Sequence, residues 1–457
     1  IQSLKEYSME NNDKVIRIRV KDAEDLIKEI FEKKSCNTNE AKIISKRLCL
    51  SNLKGHDSHG IVRVPRYCDW IDEKKVFPNR DHKIILDSGS LAIIDANQGF
   101  GQVMGEIAVE EGVKRAKANG ISLIGLKNSG HLGRIGDWSE LAADKNIVSL
   151  HFVNVRGSLL VAPFGGSDRR GSTSPLSIGI PVKSEEHIIL DMATSTVAEG
   201  KALVAQKGGK KLPIGALVDQ LGNLTNDTKA LYGEIGPNDV PNPDKGLGAI
   251  TAFGMHKGFG INFMMEILGG ALTSNDVCGI SHDKIRPFAN GMLSIFIDVE
   301  KFVDIEYFAR EVKSYSNFVR SSPPAEGVDK VMIPGDNELK TYSDRIKNGI
   351  PISEEAWQLI TLRGKMLNLE RINLKLHNVT KDPIHGSSYI FVIKKISDQK
   401  KIKHLFKKES FLNLKYYKNW GKNCKILAKK IKNEIEKISK KNIIIGYGAA
   451  AKANTFI

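Results

Sequence analysis

In the segment AEDLIKEIFEKK, apolar Ala23, Leu26, Ile27, Ile30 and Phe31 recur at three- and four-residue intervals, so one face of a helix is apolar. Asn39 is placed to cap a second helix running through Ile43, Ile44 and Leu48. The loop KGHDSHG follows, then a helix over Glu106–Asn119 that Gly120 ends. ISLIGLKN (121–128) reads as a buried strand, Asp137–Lys145 as a helix and IVSLHFVN (147–154) as a strand. HIILDMAT (187–194) is a further strand, with a helix-like VAEGKALVA after it. Lys257–Leu272 reads as a buried helix, MLSIFIDV (292–299) as a strand, and 305–318 and 353–367 as helices. The alternation predicts an α/β fold with mixed connections. The Gly-, Pro- and Asn-rich stretch 233–248 is a long loop of the kind that often shapes a site.

The chain has 457 residues, 41% of them apolar, enough for two to four domains and a sizeable core. No run of 18 apolar residues occurs, so a membrane span is not expected. The first residues lack the apolar stretch of a signal peptide, and Met9 reads as the true start. The five cysteines are scattered without a CxxC pair; they point to a reducing cytoplasm and to no metal site.

The net charge of +15 is unevenly placed. Residues 371–457 hold 21 Lys and Arg against 5 Asp and Glu, whereas residues 1–370 hold 47 against 48. A neutral, enzyme-like body therefore precedes a lysine-rich tail. Tyr416, Tyr417 and Trp420 sit among the lysines, but no nucleic-acid motif accompanies them, so nucleic acid is not the expected partner.

Two histidine-bearing loops could carry chemistry. Reducing a 2-oxo acid needs a proton donor at the carbonyl oxygen and a cation for the carboxylate. In DSHGIVRVPRY, which also holds Tyr67, His59 suits the first role and Arg63 the second, with Ser58 able to orient the imidazole. The same spacing fits a histidine that caps the next segment and an arginine in a surface ion pair. In NSGHLGRIGDW, a glycine-rich turn between a strand and a helix offers backbone N–H groups to an anion, with His131 beside it, or makes a tight turn with a structural histidine. LDMATSTVAEGK, with Asp191, Thr194, Ser195 and Lys201, suits a cofactor floor or a plain helix cap. Lys257 in HKGFG suits a phosphate, a carboxylate or solvent. Gly99, Gly101 and Gly105 have neither the spacing nor the downstream acid of a dinucleotide fingerprint, which argues against an ordinary Rossmann fold.

Eight motifs in order resemble the malate/L-lactate dehydrogenase family of the non-Rossmann type over about residues 18–368: DSHGIVRVPRY, NSGHLGRIGDW, VAPFGG, GSTSPLSIGIP, LDMATSTVAEGK, LPIGALVDQLGNLTND, HKGFGINFMMEILGGAL and VMIPGDNE. The resemblance implies a mixed central sheet in a cofactor subdomain near 85–300, and a helical domain built from both ends of the enzyme region. It implies NAD or NADP as cofactor, a small 2-hydroxy or 2-oxo acid as substrate, and a homodimer. By the same resemblance His59 is the proton donor with Ser58 behind it, and His131 a catalytic base in some members. Arg63, Thr173 and Lys201 contact substrate. Cofactor contacts map to His131, Leu132, Gly133, Arg134 and Ile135, to Asp191, Met192, Ala193 and Thr194, to His256 and Lys257, and to Gly335, Asp336 and Asn337.

Three segments depart from the pattern. Ser172-Thr173-Ser174-Pro175 stands where GTNP is usual, which implies altered substrate choice or reduced activity. Lys201 replaces the acidic relay residue of imine-reducing members and favours the hydroxy-acid branch. PGDNE replaces PGE. These features divide the chain into an N-terminal extension (1–17), the dehydrogenase-like domain (18–369) and the basic tail (370–457). HGSSYIFVIKK and GYGAAAKANT in the tail resemble the C-terminal domain of S-adenosylmethionine-dependent sugar C-methyltransferases, without the cofactor-binding half. The alternative function is a degenerate enzyme or fusion serving sugar C-methylation, or a basic binding module.

Overall fold

The computed structural model describes residues 15–182, 186–206, 211–234, 242–281, 284–285 and 287–367, and the backbone of 374–382 and 388–395. The chain forms two units, residues 1–369 and 370–457. In the second, Leu374–Asp382 and Ser388–Lys395 pair as an antiparallel hairpin. The GYGAAAKANT motif and the tail aromatics lie outside the described residues.

The first unit opens with strand β1 (Val15–Ile18), which pairs antiparallel with β9 (Ile350–Ser353). Residues 15–17, within the stretch expected as an N-terminal extension, belong to this strand. Helices α1 (Val20–Lys33), α2 (Thr38–Leu53), α3 (Val64–Asp72), α9 (Asp336–Asn348) and α10 (Glu354–Met366) surround this pair. Both ends of the unit therefore share one apolar core, in which Ile27, Phe31, Ile44, Leu48 and Tyr67 meet Ile350 and Ile360. The cap of α2 is Asn37, whose side chain accepts from Glu40 N at 2.9 Å; Asn39 is already inside the first turn. Helix α9, DNELKTYSDRIKN, has too few apolar residues to show a periodic face, which is why patterning misses it.

The second core lies on a seven-stranded sheet made of β2 (Lys83–Ser88), β3 (Leu91–Asp95), β4 (Ile121–Ser129), β5 (Ile147–Arg156), β6 (Leu176–Ile180), β7 (Ile188–Met192) and β8 (Ala289–Asp298). Their order is β2-β3-β4-β8-β5-β6-β7, and only β3 and β4 run parallel. That is the mixed sheet expected, and it is not doubly wound. Helices α4 (Gly101–Asn119) and α5 (Gly136–Ala143) pack on it through Met104, Ala108, Trp138 and Ala142. Helix α4 starts five residues before the apolar pattern places it. Its glycines serve packing: a Cβ on Gly101 would lie 2.2 Å from His131 O, and one on Gly105 2.4 Å from the Trp138 ring. Gly101 lets the helix press against the GHLG loop, and Gly105 lets it press against α5.

A smaller third core joins α6 (Glu199–Gln206) to short strands at 217–218, 224–225 and 249–250. Helix α7 (His256–Met265) continues as a π-helical turn over Glu266–Ala271. It is less buried than its apolar sequence predicts, since Phe263, Met264, Ile267 and Leu272 are exposed. Helix α8 (Ile305–Arg320) follows β8. No helix among the described residues is long and apolar enough to cross a membrane.

His151, on strand β5 beside the central strand β8, is fully buried between Ser294 Oγ (2.8 Å from Nδ1) and Ser149 Oγ (3.1 Å from Nε2). Burial pushes its pKa down to about 3. This folded-state value lies below the unfolded value of about 6.5, so the protein gains from a neutral ring above pH 6.5. That gain is lost as pH falls from 6.5 toward 3, at about 1.4 kcal/mol per pH unit for each such histidine. We expect the urea midpoint to fall steeply below pH 6, and less steeply in His151→Gln.

Candidate active site

The DSHG segment, expected as a loop, folds into two 3-10 turns, Asp57–His59 and Ile61–Arg63, that run into α3 with Pro65 in its first turn. Its shape is fixed from outside. Arg345 of α9 forms a two-pronged pair with Asp57 (2.6 and 3.0 Å), and Asn52 Nδ2 donates to the same carboxylate at 2.6 Å. Asn52 Oδ1 accepts from Ile61 N at 2.7 Å. A Cβ on Gly60 would fall 1.9 Å from that oxygen, so only glycine fits. Gly60→Ala is expected to lower stability by about 1–3 kcal/mol and to reduce kcat/KM with it, checked by a thermal melt alongside steady-state assays.

The turns present three of the expected residues together. Ser58 Oγ lies 2.9 Å from His59 Nδ1, and Arg63 Nε donates to Ser58 O at 2.5 Å. The terminal nitrogens of Arg63 have no protein partner among the described residues. The His59 ring stacks on His131 with centroids 5.4 Å apart and planes inclined by 16°. By surface area His59 is half-buried, yet it is densely surrounded. Desolvation holds its pKa well below the usual imidazole value, and the charges of Arg63, His56 and Arg134 and the second imidazole push the same way. His131 is pushed down to about 3, first by burial and then by Arg63.

His131 is oriented by residues for which the sequence suggests no role. Tyr67 Oη lies 2.7 Å from His131 Nδ1, and Gln102 Nε2 donates to Tyr67 Oη at 3.0 Å. Burial raises the Tyr67 pKa to about 12, so its hydroxyl keeps its proton. With Gln102 as donor, the Tyr67 hydroxyl donates to His131 Nδ1, which leaves the imidazole proton on Nε2.

Below this pair lies a buried ionic network. The Arg134 guanidinium, 0% exposed, donates to Asp137 (2.8 Å) and Glu140 (3.0 Å) and lies 3.6 Å from Asp191. Arg47 of α2 and Lys54 just after it meet Glu106 and Glu140 at 2.6 and 3.2 Å. His56 Nε2 lies 3.2 Å from Glu338, and its Nδ1 4.0 Å from Asp191. The network ties the helical cap to the GHLGRIG loop, whose Gly136 N donates to Asp191 at 2.9 Å.

The segments expected to hold a cofactor converge. Leu132 N donates to Asn290 at 2.9 Å, which fixes the GHLG loop on β8. Gly335, at φ 98°, packs on β7 so that a Cβ would lie 3.3 Å from Ile189 N. Thr194, just past β7, accepts from Asn262 of α7 at 2.8 Å, and Phe253 N donates to Thr194 O at 3.2 Å, which brings the start of α7 alongside. His256 and Lys257 are exposed in the first turn of that helix, and no side chain caps it.

Leu132, Arg134 and Ile135 bury their side chains, so this loop can offer only backbone and His131 to a ligand. Asp336 is taken up by Arg320 at 2.7 Å, whereas Asn337 is exposed. Met192 and Ala193 are half-buried. Lys201 is exposed in α6, and the preceding Gly200 packs close to Ser58, where a Cβ would lie 3.5 Å from Ser58 Cβ. Thr173 is half-buried and its carbonyl accepts from Thr194 N at 2.9 Å. The two serines that depart from the family pattern face inward: Ser174 Oγ donates to buried Glu266 at 2.9 Å, and Ser172 is buried. Tyr67, Gln102, His56, Asp57, Glu338 and Arg345 are the contributors that sequence reasoning leaves without a role. His56, Asp57, Tyr67 and Glu338 lie inside or beside the quoted motifs, but what each one contacts is set by tertiary structure, while Gln102 and Arg345 lie outside any of them.

Comparison with known proteins agrees with this architecture. Residues 18–361 match the family model for malate/L-lactate dehydrogenase. Hydroxycarboxylate dehydrogenase B of Escherichia coli (strain K12) is 33% identical over 352 residues, 76% of this chain and 94% of the relative. L-sulfolactate dehydrogenase of Methanocaldococcus jannaschii is 33% identical over 76% of this chain and 96% of its own length. A solved structure of sulfolactate dehydrogenase from that organism superposes with a TM-score of 0.68 at 30% identity, covering 78% of this chain and 98% of that one. By its motifs, its mixed sheet and its end-to-end similarity to these enzymes, the chain belongs to the malate/L-lactate dehydrogenase family.

Proposed function

We propose that the first unit transfers a hydride between a nicotinamide cofactor and a small 2-hydroxy or 2-oxo acid. The observation that carries this reading is a half-buried imidazole, His59, backed by Ser58 and set beside the Arg63 guanidinium. Arg63 receives the substrate carboxylate through a forked, charge-assisted pair. His59 exchanges the proton of the hydroxyl or carbonyl oxygen, a contribution of about 10²–10⁴-fold. Thr173 and Lys201 line the same substrate, and His131 bounds it from the other side. The relatives named for hydroxycarboxylate and sulfolactate oxidation support the same class of acid.

The residues present fit NAD or NADP. An uncapped helix start with Lys257 in its first turn is a donor set suited to a diphosphate. The GHLG backbone, the Asp191–Thr194 strand end and the Gly335–Asn337 turn supply further walls. When bound, the nicotinamide gives or takes the hydride; the protein's own groups bind, orient and move the proton.

We further infer a homodimer in a reducing cytoplasm, by the family resemblance and the cysteine usage. Residues 370–457 we take as a methyltransferase-type C-terminal segment, preceded here by the dehydrogenase domain and not by the half that would bind S-adenosylmethionine. Isothermal calorimetry with S-adenosylmethionine tests this: no binding is expected, and saturable binding contradicts it. The main reading is tested by following NADH and NADPH oxidation with a panel of 2-oxo acids. Turnover with a subset is expected, and none with any acid in either direction rules the reading out.

A further inference from the structure

We propose that the site acquires its catalytic proton together with its substrate: of the two stacked histidines only His59 is loaded, and only when an anionic carboxylate lies on Arg63. The inference rests on the reading above and specifies how that site selects its substrates.

Consider what faces His59. Its own segment contributes Arg63, His56 and the Ser58 hydroxyl, and the GHLG loop contributes His131 at 5.4 Å between ring centroids. Arg134 acts from the same loop, already matched by Asp137, Glu140 and Asp191. Helix α6 approaches Ser58 at Gly200, next to Lys201. The nearest carboxylate in the chain, Asp57, is occupied by Arg345 and Asn52. Among the described residues no carboxylate hydrogen-bonds to His59. A proton added to His59 in the free enzyme would therefore meet cations and no counter-ion, in agreement with the direction in which its pKa moves.

The two imidazoles are not equivalent. His131 Nδ1 receives the Tyr67 hydroxyl proton, because Gln102 Nε2 already donates to Tyr67 Oη. Protonating His131 at Nδ1 would leave the buried Tyr67 O–H without an acceptor. His59 has no such constraint. Its Nδ1 partner is the Ser58 hydroxyl, which turns from donor to acceptor by rotating about one bond. The missing negative charge arrives with the ligand, as a carboxylate on the free nitrogens of Arg63.

The steps balance. The 2-oxo acid anion enters with one proton, held on His59. As the carbonyl carbon receives the hydride, His59 gives that proton to the carbonyl oxygen and returns to neutral, and the 2-hydroxy acid anion leaves. In oxidation the hydroxyl proton passes to neutral His59 and departs with the 2-oxo acid. A neutral 2-oxo amide or ester brings no counter-ion, so it leaves His59 unloaded and is a poor substrate even when it binds.

The test is calorimetric titration of the full chain with oxamate, with and without NADH, in buffers of different ionisation enthalpy. We expect uptake of close to one proton per site near pH 7.5, with affinity falling about tenfold per pH unit as pH rises from the free enzyme's His59 titration toward that of the complex. His59→Gln and His59→Asn should bind without proton uptake and with pH-independent affinity, while His131→Gln keeps the uptake. Oxamate binding to the wild type without uptake overturns the inference and leaves the dehydrogenase reading standing. Uptake that survives in His59→Gln but vanishes in His131→Gln overturns it as well. Absence of oxamate binding in every condition overturns both.

Discussion

His59→Gln lowers kcat/KM for 2-oxo acid reduction by about 10²–10⁴-fold, the range expected when a positioned proton donor is removed. Glutamine keeps a polar side chain of similar reach but cannot hold a transferable proton. The fold should not suffer, because the DSHG turns are held by Asp57, Arg345 and Asn52, and His59 itself contacts Ser58 and the His131 face. The expected pattern is thus a lost rate with an unchanged melting temperature. Ser58→Ala removes only the group on Nδ1 and should cost far less. Steady-state kinetics with the best acid of the panel, beside a thermal melt, separates a chemical role from a structural one.

Arg134→Met produces the opposite pattern, destabilising the protein by about 3–5 kcal/mol, as measured by urea unfolding. Methionine fills much of the volume but leaves Asp137 and Glu140 without their hydrogen-bonded cation in a buried site. Burial already opposes the charge on Asp137. With the guanidinium gone, nearby Arg47 and Lys54 offset only part of the loss. Because Arg134 lies in the GHLG loop, bound by Gly136 to Asp191, weaker cofactor binding should accompany the lower stability. A variant as stable as the wild type would show that the network is dispensable.

These two residues also show where sequence reasoning succeeds. His59 and Arg63 sit four residues apart in one short motif, so their proximity is a local matter, legible from spacing and chemistry. Arg134 is equally visible in its motif, and so are its near partners Asp137 and Glu140, three and six residues on, but its burial and the approach of Asp191 from β7 come only with the tertiary structure. Its side chain is buried and ion-paired, so any cofactor contact at Arg134 would come from its backbone. Tyr67 and Gln102 meet at His131 although 35 residues separate them, and neither has a periodic or spacing signature. The same distinction governs the fold. Strongly periodic α1 and the apolar strands β4, β5 and β8 are legible, whereas polar α9 and short β6 are not. The early start of α4 escapes notice because Gly101 and Gly105, poor helix formers by propensity, serve there as close-packing positions.

The central claim is that this chain moves a hydride to a 2-oxo acid with His59 supplying the proton. Deuterium transfer from NADH or NADPH labelled at the nicotinamide C4 position addresses it most directly. The predicted result is one deuterium at C2 of the 2-hydroxy acid formed by the wild type, and almost none formed by His59→Gln in the same time. Product without label, or labelled product formed equally fast by the variant, would contradict it.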